Sequence, residues 1–256
     1  MTEALPILHR DDHLIAVHKP AGMLVHRSAL ARGERHFLLQ TLRDQIGQRV
    51  YPVHRLDRPT SGLMVFALDS EIAGHLADAF AAHRVTKRYL AVVRGLGPES
   101  ERLDYALRDE DGRRPKAEMP AREARTDVRR LDSVELPVSV DRYPSARYSL
   151  MEACPRTGRR HQIRRHLSRR GYPIIGDAKH GKGVHNRFFA DQLACPRLLL
   201  AAVELGFDHP VDGRRLTIGC ALDASMTALF QRFGWSGHLP ANDRNTSTSP
   251  HTMTMP

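Results

Sequence analysis

The chain has 256 residues, 41% hydrophobic and 27% charged, enough for one large core or two small ones. Its net charge of +10 favours a polyanionic partner. Nucleic acid fits better than a membrane surface, because the chain has no long apolar span and no basic amphipathic helix with a bulky apolar face.

Of the 39 basic residues, 34 are arginine and 5 lysine, a bias that suits phosphates and stacked bases but also follows from a GC-rich genome. Three cysteines without a C-x-x-C pair argue against a disulfide framework or a cysteine zinc site. The start, Met1-Thr2-Glu3-Ala4-Leu5, lacks a basic segment followed by an apolar one, so the expected location is the cytoplasm. No phosphate-binding glycine loop and no H-E-x-x-H occurs. His161 and His166 are five apart, a poor spacing for two ligands on one helix face.

In chain order, Leu14–Val17 reads as a buried strand that runs through Lys19 into the Pro20/Gly22 loop. Phe37–Gln48 has helical spacing. His54-Arg55-Leu56-Asp57-Arg58-Pro59-Thr60-Ser61-Gly62 then sets one carboxylate between two arginines at a turn, ahead of the apolar strand Leu63–Leu68. Taken alone, such a turn is an Asx-type turn or a surface ion pair. Asp69 or Ser70 caps a following helix. Thr86–Gly95 alternates as a strand with Tyr89, Ala91 and Val93 on one face. Residues 95–120 show no long periodicity, 124–140 read as strand, turn, strand, and 147–153 alternate again.

Thr157 to Gly171 holds six arginines, two histidines and no acid, with Thr157 as expected N-cap, Gly171 as C′, and Ile163 and Leu167 as a narrow anchoring stripe. Arg160 and Arg164 are four apart and repel, which a polyanionic partner or a buried acid would relieve. Residues 178–189 read as a basic loop, 198–205 as a strand, and a last helix starts behind Asp223. Residues 5–237 are expected to form one α+β domain around a mixed, mostly antiparallel sheet, with a disordered tail over 238–256.

The pair H-R-L-D-x-x-T-S-G and T-G-R-x-H-Q-I-R-x-H-L, with Leu14–His26, Lys87–Gly95 and Gly176-Asp177, resembles the RluA-type pseudouridine synthases in order over about residues 5–235. Finer features, including Val25-His26-Arg27-Ser28, Gly176–Gly181 and Phe233-Gly234-Trp235, resemble the branch that acts on uridine 65 of certain tRNAs. The resemblance implies a curved sheet bisected by a cleft and no metal or organic cofactor. It implies Asp57 as the essential aspartate, Tyr89 packing on the target base and Arg164 pairing with the aspartate. Arg55 would fill the space left by a flipped nucleotide, and Ile163 would line the base pocket. Lys19, Arg159, Arg160 and Arg165 are the candidate phosphate contacts. tRNA is the expected partner, with no membrane and no obligate protein partner. One departure is Leu200-Ala201-Ala202 where relatives have Leu-His-Ala, which reads as a packing change.

Three other functions compete. A decayed, purely RNA-binding relative conflicts with the intact Asp57, Tyr89 and Arg164. A ribosomal RNA synthase differs only in substrate. A retaining glycosidase needs two carboxylates about 5 Å apart, and no motif supplies a second beside Asp57.

Overall fold

The strands β1 (Ile7–Arg10), β2 (Leu14–Lys19) and β4 (Ser61–Ala67), with the short β3 (Tyr51–Pro52), form one half of a sheet. The structure is a computed structural model and describes residues 4–26, 36–110, 116–240 and 246–248. The other half holds β5 (Thr86–Arg94), β6 (Ser100–Asp104), β9 (Arg125–Leu136) and β10 (Ala146–Pro155), and the two-residue strands β7 (Leu107–Arg108) and β8 (Ala121–Arg122) pair separately. The strand β11 (Leu200–Asp208) joins the halves in the order β1-β2-β4-β11-β5-β10-β9-β6. The helices are α1 (Leu38–Ile46), α2 (Ser70–Ala81), α3 (Gln162–Arg169), α4 (Gly183–Gln192) and α5 (Ala224–Arg232); β12 (Arg215–Gly219) pairs with β11. The expected α+β class with a mixed, mostly antiparallel sheet is what is found.

Among the described strand pairs only β4 and β11 run parallel, through Ser61↔Ala201 and Gly62↔Ala202; the isolated bridge Leu24↔Phe37 is also parallel. Gly62 makes this join possible. Its φ is +112°, and a Cβ there would stand 2.1 Å from the Ala202 carbonyl oxygen. Gly62→Ala meets backbone on one side and an unfavourable dihedral on the other, so it should cost about 3 kcal/mol or more. Urea unfolding measures this directly, and a loss below about 1 kcal/mol would show that β11 can move away.

Alternation sorts the core onto two faces. Met64 and Phe66 of β4 pack with Ile15 and Val17, while Ala91 and Val93 of β5 pack with Met151, Ile163 and Leu167. Tyr89 touches both clusters, so it sits where the halves meet. Leu90, Val92 and Ala201 lie in a cluster on the opposite face. Ala201 is therefore buried away from Tyr89, in keeping with a packing change at that position.

Several expectations need correction. Residues 125–136 form one strand rather than strand, turn, strand: the register against β10 shifts between Leu150 and Met151, a bulge that accommodates the irregular pattern. The supposed loop 178–189 contains the start of α4, whose His185 and Phe189 are buried. Arg27, Ser28 and residues 111–115 lie outside the described residues. Of the expected tail, Thr246–Thr248 forms a strand, β13, paired with β12, while 241–245 and 249–256 also lie outside.

Candidate active site

Asp57 is placed by the turn before β4. Its carbonyl accepts from Thr60 N at 3.1 Å, and the neighbouring Arg58 carbonyl accepts from Gly22 N at 2.9 Å. His54 secures the start of the turn by accepting from Val65 N at 2.9 Å and stacking on Phe80 at 4.7 Å between ring centres. Burial, assisted by Lys87, pushes the His54 pKa down to about 3, so it is a neutral brace.

The helix α3 supplies the cation. Its last turn closes with a Schellman pair, Gly171 N to the Ser168 carbonyl and Tyr172 N to the Leu167 carbonyl, as Gly171 at C′ predicts. Its start differs from expectation. The cap is His161, at φ +55°, whereas the Thr157 hydroxyl bonds Gln162 Oε1 and accepts from Arg125 N. Gln162, Ile163, Arg164, Arg165, His166 and Leu167 are all buried, so the arginine-rich helix is part of the interior.

Arg164 Nη1 donates to Asp57 Oδ2 at 2.9 Å. Its Nε and Nη2 donate to Asp177 Oδ2 and Oδ1 at 2.8 and 2.9 Å. Asp177 is fully buried and also accepts from Lys179 N and His180 N. Burial alone would raise its pKa; the Arg164 guanidinium and the backbone donors outweigh that and hold it low. This is the buried acid that relieves the arginine helix. Asp177 also supplies the second carboxylate that no motif placed near Asp57. It is spent on Arg164, which removes it from the two-carboxylate arrangement a glycosidase needs. Sequence reasoning missed its role, although Gly176-Asp177 belongs to the stretch that carried the resemblance.

Asp57, Tyr89, Arg55, Ile163 and Arg164 line one cavity of about 650 Å³. The Asp57 side chain is 19% exposed, and Oδ1 has no protein donor among the described residues. Burial and the Asp57 charge raise the Tyr89 pKa above its usual value, so its hydroxyl stays protonated. Arg55 is exposed at the cavity wall, and Ile163 is 7% exposed.

The expected phosphate contacts divide. Arg160 is exposed and Arg159 partly so, and both line the cavity. Lys19 does not reach it: fully buried, its Nζ donates to the carbonyls of Pro20, Met23 and Arg58 at 2.8–3.1 Å. Burial and Arg197 lower its pKa to about 7, but three carbonyl acceptors suit the three-donor ammonium, and Lys19 works as a staple under the Asp57 turn. Arg165 is 7% exposed and faces Glu110, so it too is a structural cation.

His161 Nε2 lies 3.8 Å from Asp57 Oδ2, and its Nδ1 shares a 3.1 Å hydrogen bond with His180 Nε2. With Glu110 these imidazoles bring three donor atoms within 4.8 Å of one another. Lys179 already holds Glu110 and Arg165 flanks it, so the single carboxylate is matched by protein cations. The group serves as a hydrogen-bonded brace rather than a cation cage.

Burial pushes the pKa of His161 and of His166 down to about 4. Below pH ~6.5 the unfolded chain protonates His54, His161 and His166 while the folded one does not, so stability falls as pH drops from about 6.5 towards 4. Each group contributes up to about 1.4 kcal/mol per pH unit. Urea midpoints at pH 7.5, 6 and 5 should fall in that order; a flat profile would contradict neutral burial.

A sequence model of the RNA pseudouridylate synthase family matches residues 13–169. The chain belongs to that family. It is an isomerase whose chemistry turns uridine in RNA into pseudouridine. A Vibrio cholerae protein named tRNA pseudouridine synthase C is 48% identical over 242 residues, covering 93% of this chain and 99% of its own. One of the same name from Salmonella typhi is 47% identical over 247 residues, 94% of each chain. The solved structure of human RNA Pseudouridylate Synthase Domain Containing 4 superposes with a TM-score of 0.68 at 25% identity, covering 90% of this chain and 93% of that one. No helix among the described residues is long and apolar enough to cross a membrane.

Proposed function

We propose that the protein converts a uridine of tRNA, at position 65, to pseudouridine, with Asp57 as the reacting carboxylate. The observation that carries the reading is Asp57 in the cavity, tied through one oxygen to a doubly anchored Arg164 and open through the other. The relatives' shared name supplies tRNA as substrate.

The reaction breaks the C1′–N1 bond, turns the uracil and joins C5 to C1′. An ionised carboxylate serves it either as a nucleophile or as a base for the C2′ proton. Arg164 favours the charged form by pairing with it. The ring of Tyr89 offers a platform for the uracil, and Ile163 closes the apolar side. Leaving a duplex costs a uridine a few kcal/mol. Arg55, at the cavity wall, would occupy the vacated stack, and Arg159 and Arg160 would hold phosphates at the rim.

Incubating the purified protein with total tRNA and mapping pseudouridine tests the reading. New pseudouridine at position 65, absent when that uridine is replaced by cytidine, is the expected result. Activity on ribosomal RNA fragments alone would replace the substrate, and RNA binding without any pseudouridine would overturn the enzymatic assignment.

A further inference from the structure

We propose that Lys87 binds a phosphodiester flanking the flipped uridine and so positions that nucleotide over Asp57. The inference rests on the reading of the cavity as the uridine site.

Lys87 lies two residues before Tyr89 on β5, hence on the same face of the sheet, and it lines the same cavity. It is half-buried, yet its ammonium has only the Thr157 carbonyl, at 3.5 Å. No carboxylate pairs with it among the described residues. Its neighbours are provided for. Arg88, on the other face, lies 3.6 and 3.5 Å from Glu152 and Glu204, and Arg156 holds Asp127 at 2.7 Å. Lys19 has its three carbonyls and Arg164 its two carboxylates.

A cation held in a cleft wall without an acid has lost hydration and gained little in exchange. Burial and the nearby Arg156 lower the Lys87 pKa to about 8, a cost that an incoming anion reverses. The anion an RNA brings is its phosphodiester. Because Lys87 and Tyr89 share a strand face, the phosphate and the base of one nucleotide can be gripped by adjacent side chains. That links entry of the base to capture of its backbone. The period-2 spacing of Lys87 and Tyr89 is visible in the sequence, but the missing acid is visible only in three dimensions.

The test is a chemical double-mutant cycle. Lys87→Met keeps the aliphatic stem and removes the charge, and Lys87→Gln provides a second variant should methionine disturb folding. Each is assayed on a tRNA carrying a neutral methylphosphonate at the 5′ or the 3′ linkage of the target uridine. The expected result is a KM raised about 10- to 100-fold in the variant with kcat little changed. One of the two methylphosphonates should cost the wild-type protein a similar factor and cost the variant almost nothing. Equal losses for protein and variant at both linkages would overturn the proposal, as would a fall in kcat at unchanged KM. Failure of the uridine reading looks different: the wild-type protein would then form no pseudouridine on any of these RNAs.

Discussion

Asp57→Asn should abolish turnover, by about 10⁴-fold or more, and leave tRNA affinity within a small factor. Asparagine keeps the volume and can still accept from Arg164, so the turn and its backbone bonds to Thr60 and Gly22 have no reason to change. What disappears is the charge that either form of the chemistry uses. Single-turnover pseudouridine formation and a filter-binding isotherm on the same tRNA separate the two effects. Appreciable residual isomerisation would remove Asp57 from the chemistry, and a matching loss of affinity would make it an RNA contact instead.

Asp177→Asn is expected to have the second-largest effect, and on two quantities. The carboxylate is fully buried, and its removal leaves Arg164 with only one acid inside the protein. Breaking a buried pair from one side typically costs about 3–5 kcal/mol. Arg164 also loses the fork that fixes its direction, and a misplacement of ~1 Å near the chemistry can cost 10²-fold in rate. The expected pattern is a lower urea midpoint with kcat down about 100-fold and KM nearly constant. If kcat survives within about threefold at a pH and temperature where the variant is folded, helix packing alone orients Arg164.

Local chemistry decided much of what could be read in advance. The side chains of Asp69 and Asp223 accept from the backbone of Ile72 and Met226, as helix starts with an N-cap aspartate should. Gly171 ends α3, and the face shared by Tyr89, Ala91 and Val93 packs together. These features depend on neighbours a few residues away.

The misreadings depended on residues far apart in the chain. Lys19 reads from sequence as a candidate phosphate contact, and its burial follows from three carbonyls, one of them 39 residues distant. Asp177 stood in a short turn with nothing local to mark it as the partner of Arg164. Residues 178–189 looked too polar for a helix, but α4 buries only Phe189 and His185, and His185 is satisfied by the Tyr148 hydroxyl at 2.8 Å. The resemblance located Asp57, Tyr89 and Arg164. The geometry added the supports that hold the first and last of them.

The parallel join of β4 to β11 has a consequence for how the protein comes to life. It brings Ser61 beside Ala201, so a long stretch of chain must be ordered before the pairing contributes anything. Hairpins such as β1–β2 and β9–β10 can form early, because their strands are adjacent along the chain. The Asp57–Arg164 bond, which spans 107 residues, needs both halves docked. A chain still emerging from the ribosome, or one paused with its halves folded and undocked, would carry Asp57, Tyr89 and Arg164 and yet lack the assembled cavity. Recovery of activity on refolding should therefore follow the slowest structural phase rather than the gain of secondary structure.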